Sequence, residues 1–210
     1  NLRVNAASSS AEGEAVRVEQ AHHVWVDHCE LFDATGEGAL DIVNGSDRIT
    51  VSWTKVHFTP DTPDLEHRFG GRIGDHNQDE VLAQAQDTGR LNVTLHHMWW
   101  ADVRQRAPRV RFGQVHVFDS YYSVGTLVQD YAVWASTESS VRLENNYFQQ
   151  VANPHELKTP EAQLEAIGNI YDDATGLKQA TGTSFTPPYA YALDPGIGVP
   201  QQVMLGAGPR

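Results

Sequence analysis

A strand pattern that returns at a nearly fixed interval restricts this chain more than any other feature. Six segments share one alternating apolar plan: Val24-Trp25-Val26-Asp27-His28, Ile49-Thr50-Val51-Ser52-Trp53, Val93-Thr94-Leu95-His96-His97, Val115-His116-Val117-Phe118-Asp119, Val141-Arg142-Leu143-Glu144-Asn145 and Leu164-Glu165-Ala166-Ile167-Gly168. Their first residues lie 25, 44, 22, 26 and 23 positions apart, and 44 is twice 22. A second series falls between them, at Val16-Arg17-Val18, Leu40-Asp41-Ile42 and Tyr131-Ala132-Val133-Trp134. Alternation of two marks a strand with one buried face. Its return every 22 to 26 residues, with little helical patterning between, predicts an all-β solenoid whose coils bury their apolar faces against one another. A β-sandwich also spaces its strands regularly, but has no reason to repeat one pattern at a constant interval. The doubled gap, from about Phe58 to Gly89, then reads as a loop excursion from one coil. Residues 1–175 are expected to form the solenoid domain. Residues 176–210, rich in Gly, Pro and Thr, are expected to pack on it as an irregular segment.

Composition narrows the function. Fifteen Lys and Arg against 27 Asp and Glu give a net charge of −12, which argues against a nucleic-acid binder that must neutralise phosphates. No apolar run approaches the roughly 20 residues of a membrane span. Cys29 is the only cysteine, so neither an internal disulfide nor a cysteine-based zinc cluster can form. The adjacent pairs His22-His23 and His96-His97 point to opposite faces of a strand, and no His-Glu-x-x-His helix exists, which weighs against a zinc hydrolase. The basic residues are lopsided, with twelve arginines to three lysines.

Three of those arginines fall within six residues, in Gln105-Arg106-Ala107-Pro108-Arg109-Val110-Arg111-Phe112-Gly113-Gln114-Val115-His116-Val117. Arg109 and Arg111 share one side of a strand, opposite Val110, an arrangement suited to an anion or to a solvated basic edge. The run from Arg106 to Val117 resembles the signature of the pectate lyases of polysaccharide lyase family 1. Two further blocks match in order: Val24-Trp25-Val26-Asp27-His28, and Gly38-Ala39-Leu40-Asp41-Ile42 leading to Ile49-Thr50-Val51-Ser52. The resemblance covers roughly residues 1–175, and the segment around Phe185-Thr186-Pro187-Pro188-Tyr189 is similar to the C-terminal part of bacterial members.

This resemblance implies a right-handed parallel β-helix and a secreted, monomeric enzyme. It implies calcium-dependent cleavage of polygalacturonate (pectate) by β-elimination, giving 4,5-unsaturated oligogalacturonates. Asp27, Glu37 and Asp41 match calcium carboxylates, and a cluster of hard oxygens suits that ion. Arg106 matches the catalytic arginine and Arg111 an arginine that receives a substrate carboxylate. Because a guanidinium is protonated in nearly all settings, removal of a proton by Arg106 is chemically demanding. Family members carry a lysine before a Leu-Ile-Gly-like strand. Here the strand is Arg72-Ile73-Gly74, no lysine precedes it, and Arg68 is the expected substitute. An asparagine ladder inside the coil turns keeps Asn146 and Asn169 but has Met98 and Ser120 at its other positions. Family enzymes have further coils before the Trp-Val-Asp-His block, so Asn1-Leu2-Arg3-Val4 reads as the end of an earlier coil. Two alternatives remain: a pectin lyase acting on methyl-esterified pectin without calcium, and a non-catalytic polysaccharide-binding β-helix.

Overall fold

The computed structural model describes residues 1–7, 13–62, 64–75, 80–125 and 128–210. The loop read at Ala6–Ala11 falls mostly outside them. Three strands make each coil. The first coil comprises β1 (Arg3–Asn5), β2 (Val16–Glu19) and β3 (Trp25–Asp27). The second comprises β4 (Glu30–Phe32), β5 (Leu40–Val43) and β6 (Ile49–Ser52), and the third β7 (Lys55–His57), β8 (Gly71–Ile73) and β9 (Asn92–His96). Then follow β10 (Trp99–Ala101), β11 (Arg109–Arg111) and β12 (Gln114–Phe118), and β13 (Tyr121–Ser123), β14 (Val133–Ser136) and β15 (Ser140–Glu144). The last full coil has β16 (Tyr147–Gln149), β17 (His155–Leu157) and β18 (Gln163–Ile167), and β19 (Ile170–Asp172) starts another. Each strand pairs in parallel with its counterpart one coil away, so three sheets of seven, six and six strands run along the solenoid. All six segments of the repeat lie on the third sheet, β3-β6-β9-β12-β15-β18, and the second series lies on β2, β5 and β14 of the second.

Sharp turns between the third sheet and the first keep the coils in step. One residue of each turn is left-handed: His28, Trp53, His97, Asp119, Asn145 and Gly168. Five of the six carry a side chain despite the usual preference for glycine there. Those side chains are consequently stacked in a column, with Trp53 lying 4.0 Å from His97, ring centroid to centroid. The next residue inward forms the expected ladder. Asn169 Oδ1 accepts from the Asn146 backbone N–H at 2.9 Å, and Asn146 Oδ1 accepts from that of Ser120 at 3.0 Å. Ser120 is no break in it: its hydroxyl accepts from Met98 N–H at 3.1 Å, as Thr54 Oγ1 does from Cys29 N–H at 3.3 Å.

Inside, register stacks like on like. On the first sheet Leu31, Val56, Trp100, Tyr122, Phe148 and Tyr171 face one another in turn. Phe148 lies 4.4 Å from Tyr122 and 5.4 Å from Tyr171, centroid to centroid. On the third sheet Val51, Leu95, Val117 and Leu143 form the matching column.

The doubled interval is not one loop. It holds a short 3-10 turn at Leu65–His67, then β8, which joins the second sheet, then an α-helix at Glu80–Asp87. Asp87 is buried there and accepts from Gly45 N–H at 2.7 Å and Asp75 N–H at 3.1 Å, pinning the helix end to the coil turns. The C-terminal segment likewise contains a helix, Val199–Gly206, whose Val199 and Val203 pack on Tyr121 of the first sheet. No helix among the described residues is long and apolar enough to cross a membrane.

Candidate active site

Register on the second sheet places a row of mostly charged residues on its outer face. Arg17 faces Asp41, Asp41 faces Arg72, Arg72 faces Arg109, Arg109 faces Trp134 and Trp134 faces Glu156. Asp41 is fully buried, and Arg72 is its partner: the guanidinium Nε donates to Asp41 Oδ2 at 2.7 Å and the backbone N–H to Oδ1 at 3.2 Å. Burial nevertheless outweighs Arg72 and raises the Asp41 carboxyl above its ordinary value. Arg72 also reaches Asp75 at 3.1 Å, and Glu14 and Glu37 at 3.8 Å each, so one guanidinium sits among four carboxylates.

Arg106 enters from the turn before β11. Its own φ is 62°, and a cis Ala107–Pro108 bond follows. The carbonyl of Arg106 is held by Gly71 N–H, and a Cβ on Gly70 would lie 2.5 Å from that same oxygen. Glycine is therefore required where the third coil crosses beneath Arg106. The guanidinium lies 4.1 Å over the Phe69 ring, and its Nη1 donates to the Glu37 carbonyl at 2.6 Å and to Oε2 at 2.7 Å. Burial pushes the Glu37 carboxyl up, but Arg106 and Arg72 outweigh it and hold the group below its ordinary value.

Arg109 is the third guanidinium of the site and lies 5.8 Å over Trp134. Burial, followed by the like charges of Arg106, Arg111 and Arg72, lowers its pKa. The Nε atoms of Arg106 and Arg109 are buried without a hydrogen-bond partner. Unsatisfied buried donors on neighbouring cations are costly, and an anionic ligand would satisfy them. Arg111 follows two residues along β11, on the same side as Arg109, where its charge acts on Asp87.

Of the six residues singled out from the sequence, the structure brings Glu37, Asp41 and Arg106 together, with Arg111 on the adjoining strand. It does not bring Asp27 to them. Asp27 ends β3 on the third sheet, while Asp41 belongs to the second, because successive strands of a coil occupy different faces. Its carboxylate is instead bound by the Ser52 hydroxyl and by His28 Nδ1 at 2.7 Å. Burial raises the Asp27 pKa, but these two bonds outweigh it and the net shift is downward. Arg68 closes the 3-10 turn and donates to the Thr59 carbonyl at 3.3 Å. It is Arg72, four residues on, that binds the acid cluster.

Glu14 and Asp75 join the cluster without having been read from the sequence. The signal for Glu14 was the repeat itself. Since Val16 pairs with Leu40, the same register carried two residues back sets Glu14 beside Gly38.

The pectate lyase family model matches residues 3–196. The chain belongs to the pectate lyase family. Pectate lyase A of Aspergillus niger is 31% identical over 207 residues, covering 93% of this chain and 57% of that protein. The pectate trisaccharide-lyase of Thermotoga maritima is 36% identical over 110 residues, covering 52% of this chain and 27% of the relative. The chain thus spans little more than half the length of the Aspergillus niger protein and matches about a quarter of the Thermotoga maritima one. Among solved structures, a pectate lyase from Bacillus sp. N165 in complex with trigalacturonate superposes with a TM-score of 0.75 at 23% identity, covering 95% of this chain and 64% of that one. This likeness confirms the solenoid expected from the repeat and the parallel β-helix that the resemblance implies.

The acid cluster meets the donor requirement for calcium in kind. Glu14, Glu37, Asp41 and Asp75 offer only hard carboxylate oxygens, and Glu37 is their exposed member, with 55% of its side chain open to solvent. Arg72 already neutralises part of that charge.

Proposed function

We propose that this family member is a secreted, calcium-dependent pectate lyase that cleaves α-1,4-polygalacturonate by β-elimination. The observation that carries the reading is Arg106, with an unsatisfied buried Nε, held by Glu37 beside the Asp41–Arg72 pair. The trigalacturonate complex of a structural neighbour supports the choice of a uronate chain.

The reaction needs two things from the protein. The substrate carboxylate must be neutralised, because the C5 proton is only weakly acidic while the neighbouring group stays anionic. A group must also stand ready to take that proton as the C4–O bond breaks and the C4–C5 double bond forms. Calcium held by Glu37 with Asp41, Asp75 and Glu14 would supply part of the positive charge. Arg109 and Arg111, on one side of β11, give the carboxylate a forked set of donors. Arg106 is the group placed for the proton: its guanidinium must first release a proton to water, so that the neutral guanidine takes the C5 proton and then returns it to the departing C4 oxygen. For Nη1 to reach C5 the Glu37–Arg106 pair must open, so binding and catalysis compete for the same guanidinium.

Polygalacturonate incubated with the full chain and calcium is expected to yield 4,5-unsaturated ends, detected by ultraviolet absorbance, with chelator abolishing the rise. Arg106→Ala should reduce turnover by about 10²–10⁴-fold, the usual contribution of a positioned proton-transfer group. Retained activity would remove Arg106 from that role.

Arg72 favours a second reading. A fixed guanidinium among four carboxylates is a built-in cation, and it suits action on methyl-esterified pectin without calcium. Activity on highly methylated pectin in the presence of chelator would select it.

A further inference from the structure

The column of left-handed turn residues on the third sheet carries a feature that the lyase reading does not use. His97 and Asp119 occupy equivalent turns in successive coils, and the C-terminal segment delivers Asp194 between them. His97 Nε2 lies 3.0 Å from Asp194 Oδ2 and 4.0 Å from Asp119 Oδ2, and all three potential ligand atoms lie within 4.8 Å of one another. Two ligands about 2.1 Å from one tetrahedral ion lie about 3.4 Å apart, so these spacings need only small side-chain adjustments. We propose that His97, Asp119 and Asp194 form a binding site for a zinc-class divalent transition ion that fastens the C-terminal segment to the solenoid.

Charge and tautomer both support a cation there. Asp119 is fully buried, and among the described residues no lysine or arginine is ion-paired with it or with Asp194. A lone imidazole cannot offset two carboxylates brought to one point. His97 is prepared as a ligand from its other side, because its Nδ1 lies 2.8 Å from His96 Nδ1. With His96 Nδ1 accepting from His97 Nδ1–H, the His97 Nε2 lone pair is left to face the two carboxylates. Trp53 stacks on the His97 ring and fixes its plane. Asn145 Nδ2 donates to Asp119 Oδ1 at 2.5 Å and to the Asp194 carbonyl at 2.9 Å, orienting both acids. Asp194 remains one-third exposed, giving the ion a path and a place for water. An imidazole in the set selects zinc and its transition-metal neighbours such as copper and nickel over calcium, which takes oxygen ligands.

The site lies in the turns after the third sheet, and Glu37 and Asp41 on or before the second, so it stands independently of the lyase reading. Chelator-treated full-length chain should be titrated with cobalt(II), following the visible d–d absorption, and with zinc by calorimetry. One ion per chain with histidine-type cobalt bands is expected, and zinc should protect the C-terminal segment from limited proteolysis. Asp194→Asn and His97→Gln should each weaken binding by about 100-fold or more, since even outer-shell changes cost 10–100-fold. Asp194 is part-exposed, so Asp194→Asn should keep its far-ultraviolet circular dichroism and separate lost binding from lost folding. Glu37→Gln should bind cobalt as the parent does. The proposal is overturned if the parent chain gives neither bands nor heat, if binding survives both ligand variants, or if Glu37→Gln abolishes it.

Discussion

Replacing Arg72 with methionine keeps most of the side-chain volume and removes the one guanidinium paired with a fully buried carboxylate. The Asp41 oxygens are left with the Arg72 backbone N–H at 3.2 Å and no cation at 2.7 Å. Breaking a buried pair from one side costs about 3–5 kcal/mol, because the remaining charge is uncompensated. At roughly 2–4 °C per kcal/mol for a chain of this size, the melting temperature should fall by about 6–20 °C at neutral pH. The pH dependence gives the sharper test. Burial holds the Asp41 pKa above its unfolded value even with Arg72 beside it, so the native state favours the protonated acid. Stability from that source is complete below the unfolded pKa and is lost as pH rises through the folded one. Removing Arg72 raises the folded pKa further and widens that window. The penalty of Arg72→Met should therefore be greatest at pH 7 and shrink towards pH 4, and adding Asp41→Asn should recover much of it at pH 7. Thermal unfolding followed by circular dichroism at both pH values reads the effect. A loss below about 1 kcal/mol, equal at the two pH values, would refute the claim that Arg72 holds a buried charge.

Three further outcomes follow from the packing. Phe148→Ala, between Tyr122 and Tyr171, should cost about 3–5 kcal/mol by denaturant unfolding. His116 is buried between the Tyr189 hydroxyl and Glu144, and burial lowers its pKa to about 4. With the folded pKa depressed, its contribution is present above the unfolded value of 6.5 and is lost as pH falls towards 4. That loss is about 3 kcal/mol, at 1.36 kcal/mol per unit. His116→Gln should flatten stability over this range, and an NMR titration of its ring should show a midpoint near 4 rather than 6.5. Asn146→Ala removes the acceptor for Ser120 N–H and the donor to the Val117 carbonyl, and should cost about 1–3 kcal/mol, measured by urea unfolding.

The sequence was most informative where one physical requirement recurs. Each coil buries the same face, so Val51, Leu95, Val117 and Leu143 announce the third sheet together. The first sheet left no such trace, because its three-residue strands are too short to display alternation. Ser120 and Thr54 were hidden by function, since a hydroxyl can serve the ladder as an amide does. At the site, Arg106 and Glu37 stand 69 positions apart, and only the stacking of coils brings them to 2.7 Å. Asp27 was assigned from the resemblance of the Trp-Val-Asp-His block, and a matching block does not say which face of the coil its strand occupies. Arg72 drew no notice beside Arg68, because its partners Asp41 and Glu14 lie on other coils and only the stacking brings them to it.

The central claim is that this arginine–carboxylate cluster cleaves a uronate chain by elimination. The most direct test is the mass of the products released from trigalacturonate or polygalacturonate by the full chain with calcium. Elimination leaves one fragment lighter by the mass of one water than its hydrolytic counterpart, and Arg106→Ala should release none of it. Saturated fragments alone, or unsaturated ones produced equally by Arg106→Ala, would contradict the account.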